Sequence, residues 1–201
     1  QGKGDIEQMI EQFKMVLTIQ PDLDEVHYRI GQGFQDLGHQ DKAVQYYQNA
    51  IEINPNFSEA FNNLGNILKE QGKLDDAVDL YKKAIKINPD FPVLHNNLGN
   101  AFRELGQLDN AISSYKVALK HNSDYFQSLN DLGVALFEKG QLNDAVSYLE
   151  SAIKINPESA DTYLNLSEVY KNLQQHEDAL RCLQKAIEMD KEYSDAHNNL
   201  G

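Results

Sequence analysis

Phe61-Asn62-Asn63-Leu64-Gly65-Asn66 returns as His95-Asn96-Asn97-Leu98-Gly99-Asn100, 34 residues further along, and Asn198-Asn199-Leu200-Gly201 repeats its centre at a multiple of that interval. A fixed period of this length marks an array of small stacked units. Counting from Ser58 as position 1 gives five complete units, at 24–57, 58–91, 92–125, 126–159 and 160–193. Position 20 is Ala43, Ala77, Ala111, Ala145 and Ala179, and position 27 is Ala50, Ala84, Ala118, Ala152 and Ala186. Position 8 is Gly31, Gly65, Gly99 and Gly133, then Ser167; position 15 is Gly38, Gly72, Gly106 and Gly140, then Gln174.

Each unit reads as two helices. In 58–91, Phe61, Leu64, Gly65 and Leu68 fall on one helical face, the spacing of an amphipathic helix. Gly72 ends that helix, since glycine adopts the left-handed conformation needed just past a helix C-terminus. Leu74, Ala77, Val78, Tyr81, Ala84 and Ile85 form a second stripe, which Asn88-Pro89 stops. Asp75 and Asp76 open that helix and Lys82, Lys83 and Lys86 lie late in it, each sign at the favourable end of the macrodipole. The small residues Gly65, Ala77 and Ala84 let the two backbones approach.

These residues resemble the tetratricopeptide repeat: a large residue, Leu-Gly, a turn glycine, Ala, an aromatic, Ala and Pro at fixed offsets. The resemblance covers essentially the whole chain and departs from the pattern in having no tryptophan. Position 4 is His27, Phe61, His95, Leu129 and Tyr163, and Ser123 and Lys191 stand where other units have the terminal proline. The resemblance implies an all-α fold, a right-handed superhelical solenoid of antiparallel helix pairs. Residues 1–23 are expected to supply the second helix of a truncated repeat, with Ile6, Met9, Phe13 and Val16 at its core positions, and 194–201 to open another. The whole is expected to form a single solenoid domain. A helix pair cannot bury its own apolar face and relies on stacking, so uncapped array ends are expected to self-associate.

Composition narrows the function classes. Eighteen basic residues against 31 acidic give a net charge of −13, which repels a phosphate backbone and argues against a nucleic-acid partner. No run of 18 apolar residues appears, so no membrane insertion is expected. The single cysteine, Cys182, rules out an intramolecular disulfide and fits a reducing, cytoplasmic setting.

No catalytic constellation is found: there is no glycine-rich phosphate loop, His-Glu-x-x-His or nucleophile elbow. The chain by itself reads as no enzyme, with no cofactor and no metal. His27, His95 and His197 share position 4, a packing position, on different units. His39, His121 and His176 lie in turns or near helix ends. Cys182 is read as a small buried hydrophobe and Leu183 as a core residue.

The remaining face of the first helix carries the binding signal. Positions 2, 6, 9 and 13 lie opposite the apolar stripe, flanked by 5 and 12, and the family resemblance implies that they line a concave groove. Asparagine recurs there: Asn63, Asn97, Asn165 and Asn199 at position 6; Asn66 and Asn100 at position 9; Asn62, Asn96, Asn130 and Asn198 at position 5. Asparagine is a mediocre helix former, so its repetition mid-helix asks for a reason. Its amide can clamp the backbone of an extended peptide; alternatively the amides bond to neighbouring helices, or duplication copied a neutral residue. A similar asparagine ladder characterises the superhelix of O-linked N-acetylglucosamine transferases, which makes a substrate-recruiting region of such a glycosyltransferase an alternative function. A self-assembling structural scaffold is another.

Arg29 and Asp131 break the ladder at position 6. Asp36, Glu70, Glu104 and Glu138 form a row of carboxylates at position 13, suited to basic groups, with Lys69, Arg103 and Lys171 partly offsetting it. Val134 and Phe137 place apolar groups in the groove of the fourth unit, where an aromatic in a concavity is a candidate anchor. Family members that clamp a chaperone's C-terminal carboxylate use lysines at positions 5 and 2 and an arginine at 6. Here position 5 is Tyr28, Asn62, Asn96, Asn130 and Leu164, so that ligand is not expected. The function that follows is a non-catalytic protein- or peptide-binding scaffold for assembly or substrate recruitment.

Overall fold

The computed structural model describes residues 2–189; the start of the sixth unit, with His197, Asn198 and Asn199, lies outside the described residues. The described chain is helical, with α1 Lys3–Ile19, α2 Asp24–Asp36, α3 Gln40–Ile53, α4 Ser58–Glu70, α5 Leu74–Ile87, α6 Pro92–Glu104, α7 Leu108–His121, α8 Phe126–Glu138, α9 Leu142–Ile155, α10 Ala160–Asn172 and α11 His176–Met189. No strand occurs among the described residues. None of their helices is long and apolar enough to cross a membrane. Two compact units are distinguished, one up to Ala101 and one from Phe102 onward.

The turn inside each pair follows from position 15. Gly38, Gly72, Gly106 and Gly140 all have φ between +73° and +80°. At α4 the Lys73 amide donates to the Leu68 carbonyl at 2.9 Å and the Gly72 amide to that of Lys69 at 2.9 Å, the paired bonds that close a helix on a left-handed residue. Phe34, Phe102, Leu136 and Tyr170 accept the matching bond from His39, Gln107, Gln141 and Gln175. The last of these turns keeps its geometry although Gln174 replaces glycine, at φ +60°. Its backbone bonds therefore override the residue's own preference.

In the first unit, α2 packs on α3 and α4 on α5 through glycine at position 8. A Cβ on Gly31 would sit 2.8 Å from the Tyr47 ring, and one on Gly65 2.8 Å from the Tyr81 ring. Both tyrosines are fully buried, as are Ala43, Ala50, Ala77 and Ala84. In the second unit, α8 and α9 repeat the arrangement with Leu149, whose Cγ lies 2.6 Å from where a Gly133 Cβ would stand. Ala111, Ala118, Ala145 and Ala152 are again fully buried.

Successive pairs stack through positions the apolar stripe did not reveal. Ala60, Ile67, Leu94 and Ala101, at positions 3 and 10, are at most 1% exposed, as are Ser128, Ala135, Thr162 and Val169. The equivalent Gly33 shows what position 10 meets: Ile10 and Met9 of α1, the helix preceding its own pair. A first helix is thus covered on two sides, by its own second helix and by that of the preceding pair.

Two expected core residues are not buried. Val16 is 40% exposed, and Ile10, at 2%, takes the buried place on α1. Position 27 faces a unit's own first helix, and no described helix packs on that side of α1. Leu183 is 37% exposed. Position 8 of that repeat is Ser167 rather than glycine, and its Oγ donates to the Leu164 carbonyl at 2.7 Å.

Candidate functional site

The asparagine positions form a hydrogen-bonded lattice between first helices. On α6, Asn97 Nδ2 donates to Asn62 Oδ1 of α4 at 2.8 Å. Asn62 Nδ2 donates to Asn63 Oδ1 at 3.2 Å, and Asn63 Nδ2 to the phenol oxygens of Tyr28 at 3.1 Å and Tyr47 at 3.4 Å. The Tyr47 hydroxyl ends the chain by donating to Gln35 Oε1 at 2.7 Å. Position 6 therefore donates to position 5 of the preceding first helix. In the second unit, Asn165 Nδ2 donates to Asn130 Oδ1 at 3.2 Å, and Asn130 Nδ2 to Asp131 Oδ1 at 3.3 Å.

These bonds leave the ladder residues unequally available. Asn63 commits both amide hydrogens and its carbonyl oxygen within the fold. Asn66 accepts from the Tyr81 hydroxyl at 2.7 Å. Asn96, expected on the groove face, is only 4% exposed and presents almost no surface. Asn97, Asn100, Asn130 and Asn165 are half-buried. Arg29 is exposed; its Nε donates to Glu25 Oε1 at 2.7 Å and its guanidinium lies 5.9 Å from the Tyr28 ring centroid.

Charge sits at the edge of this lattice. Asp36, Glu70, Glu104 and Glu138 are all exposed. Glu70 accepts from Gln40 Nε2 at 2.8 Å, and Glu138 from Arg103 at 2.9 Å. Lys171 lies 3.5 Å from Glu168 on the same helix. Exposed pairs of this kind contribute little to stability, so their main effect is on the potential a partner meets.

Position 24 separates the first three repeats, with tyrosine, from the fourth and fifth, with Leu149 and Leu183. Tyr47 reaches Gln35, Tyr81 reaches Asn66, and Tyr115 stands in hydrogen-bonding contact with Arg103. Burial pushes the Tyr47 and Tyr115 phenols well above the ordinary range; Tyr28 and Asp36 add to the shift at Tyr47, and Asp131 at Tyr115. Leu149 lacks the ring and hydroxyl. At its end a cavity of about 170 Å³ opens between α8 and α10, walled by Val134, Phe137, Leu149 and Val169, with Asn165 and Glu168 on the α10 side and Glu138 at the mouth. Val134 and Phe137, singled out by sequence, both line it. Leu149 was not singled out, although the run Tyr47, Tyr81, Tyr115, Leu149 at one position carried the signal.

His27, His95 and Cys182 are packing groups, while His39, His121 and His176 are exposed. His27 Nε2 donates to the Pro21 carbonyl at 2.8 Å and His95 Nε2 to that of Pro89 at 2.7 Å; a carbonyl only accepts, so Nε2 carries the proton. Cys182 is buried, and burial, with the Asp178 carboxylate second, pushes its thiol up from the usual range, the reverse of what a reactive thiolate needs. Among the described residues, no three His, Cys, Asp or Glu side chains are grouped to hold a metal.

Comparisons with known proteins agree with this architecture. Family models described as tetratricopeptide repeat match residues 25–57, 46–79 and 136–200, and one described as TPR repeat matches 65–102 and 99–140. The comparison with curated proteins found no match. Among solved structures, the chain is similar to MamA, with 23% identity, TM-score 0.74, 83% of this chain and 97% of that one covered. It is similar to YrrB, described as a TPR protein with an unusual peptide-binding site, at 21% identity and TM-score 0.73, covering 94% and 99%. PilF of Pseudomonas aeruginosa aligns at 18% identity and TM-score 0.81, covering 98% and 90%. At these identities the structures speak to the fold, while the repeat models, which together run from residue 25 to 200, show the family. The chain belongs to the tetratricopeptide-repeat family.

Proposed function

We propose that this chain is a protein-interaction scaffold whose first-helix face receives an extended segment of a partner protein carrying basic groups. The observation that carries the reading is the chemistry of that face within each compact unit: half-buried amides held in place by their neighbours, with the exposed carboxylates Asp36 and Glu70 in the first and Glu104 and Glu138 in the second. A fixed amide row offers donors and acceptors with little ordering cost, which favours binding, and the net charge of −13 attracts a basic partner over distance. The description of YrrB as a peptide-binding TPR protein supports the same use of the fold.

The test is a peptide-array screen followed by titration of the best binders against the parent chain and a variant with Glu70, Glu104 and Glu138 changed to Gln. Binders enriched in Lys and Arg, weakened by the variant and by added salt, support the reading. Binders of no charge preference, equally held by both proteins, would remove it.

A second reading, self-association, rests on a separate observation. Met15 and Ile19 on α1 are 69% and 82% exposed, next to the exposed Val16, an apolar surface of the kind that seeks a partner. Sedimentation of the parent and of a Met15→Lys, Ile19→Lys variant decides it: concentration-dependent association that the variant abolishes is the expected outcome.

A further inference from the structure

The cavity between α8 and α10 is a gap left by the replacement of two residues. Its place corresponds to the site where Tyr81 reaches Asn66 two repeats earlier, with Leu149 standing for Tyr81 and Val134 for Asn66. Both polar partners of that pair have been replaced by apolar residues at once. Leu149 itself is fully buried, and Val134 and Phe137 are half-buried. The result is a lined hollow on the face that elsewhere presents amides.

We propose that this cavity receives a single phenylalanine ring from a basic, extended segment of a partner protein, an inference that rests on the protein-binding reading above and names its anchor. The size fits: about 170 Å³ compares with roughly 150 Å³ for an apolar cavity that holds benzene. The chemistry fits as well. Val134, Phe137, Leu149 and Val169 give an apolar wall, where the edge or face of a ring packs on the Phe137 side chain. Asn165 also lines the cavity, and with its Nδ2 given to Asn130 its Oδ1 is the group that would accept from a backbone amide of the incoming segment.

Charge identifies the flanks of that segment. On the first-helix face of the second unit, Glu104, Asp131, Glu138 and Glu168 outnumber Arg103 and Lys171. Glu138 and Glu168 stand at the cavity itself, each near one cation, and the net negative charge of the face favours lysines or arginines on either side of the ring. An aromatic anchor seated in a water-excluding pocket is a common form of binding hot spot.

The experiment uses two capped pentapeptides, one with phenylalanine between two lysines on each side and one with alanine in its place. Binding is followed by calorimetry and by methyl resonances of Val134 and Leu149. The phenylalanine peptide is expected to bind and shift both methyls, with the alanine peptide weaker by about tenfold or more. A Val134→Asn, Leu149→Tyr variant rebuilds the Asn66–Tyr81 pair in the cavity, so it fills the hollow without leaving a buried hydroxyl unpaired. It is expected to lose the preference for phenylalanine while melting no lower than the parent. Equal binding of the two peptides overturns the pocket whether or not the variant folds, and so does an unchanged preference in the folded variant. Equal, salt-sensitive binding leaves the acidic-face reading standing; no binding of either peptide at low salt overturns both.

Discussion

Asn97 Nδ2 lies 2.8 Å from Asn62 Oδ1, joining the first helices of two successive repeats by a side-chain amide bond. Asn62 passes the connection to Asn63, and Asn63 to the buried Tyr47. The amides that look like ligand groups in the sequence are therefore also links between helices.

That double role gives a measurable coupling. Asn97→Ala removes the donor and leaves a half-buried carbonyl oxygen without it, at about 1–2 kcal/mol. Asn62→Ala breaks two bonds and is expected to cost at least as much. Because the residues share one bond, the double variant should be less destabilised than the sum by about 0.5–1 kcal/mol. Urea unfolding of the four proteins measures the cycle; strict additivity would show that the bond contributes nothing.

Among the described residues, the turn after α10 holds the one non-glycine residue at positive φ. Gln174 adopts φ +60° where four other repeats use glycine, and a left-handed residue with a side chain carries about 1–2 kcal/mol of strain. Gln174→Gly should raise stability by about 1 kcal/mol, the greater freedom of glycine in the unfolded chain offsetting part of the relief. Gly72→Ala should lower it by a similar amount. A Cβ there meets nothing within 4 Å, so that loss is conformational. Melting midpoints moving in opposite directions for the two variants would verify the argument.

Gly65→Ala fails for a different reason. Its φ is ordinary for a helix, but the new Cβ would stand 2.8 Å from the Tyr81 ring, which is fully buried and hydrogen-bonded to Asn66. Overpacking of this kind costs about 1–3 kcal/mol. The expected signature is lower stability together with loss of the Tyr81–Asn66 bond. If Gly65→Ala and Gly72→Ala lost stability with the tyrosine environment unchanged in both, as read by near-ultraviolet dichroism, the steric account would be wrong.

These cases separate what the sequence makes legible from what it hides. Gly72, Ala77 and Ala84 announce their roles, because a turn conformation and a close approach within one pair depend on residues a few positions apart. Ala60 and Ile67 do not. Their burial comes from the preceding pair, and the angle at which pairs stack is not written in any single helical stripe. The availability of the ladder was hidden for the same reason: Asn63 and Asn97 look equivalent by position, yet Asn63 is saturated by Tyr28, Tyr47 and Asn62. The cavity was only half visible. Val134 and Phe137 stood out as apolar residues among polar ones, while Leu149, a conservative change on its face, matters because of the hydroxyl and ring it omits.

The buried phenols predict a loss of stability at alkaline pH. Tyr47 and Tyr115 are fully buried, and burial holds both well above the usual phenol range, with Asp131 adding to the effect at Tyr115 and the Arg103 guanidinium opposing it. In the unfolded chain these groups ionise near pH 10. Below that pH both states hold the proton and their contribution is complete. Above it the unfolded chain releases protons that the folded chain keeps, so stability falls as pH rises, by up to about 1.4 kcal/mol per pH unit for each such group. Urea midpoints between pH 9 and 11 should drop accordingly, and Tyr47→Phe should flatten the slope while losing the bond to Gln35. Tyrosinate absorbance supplies the independent reading: exposed tyrosines should titrate in the folded protein while Tyr47 and Tyr115 stay silent until it unfolds. Ionisation of all the tyrosines near pH 10 with the helices intact would contradict the burial of Tyr47 and Tyr115.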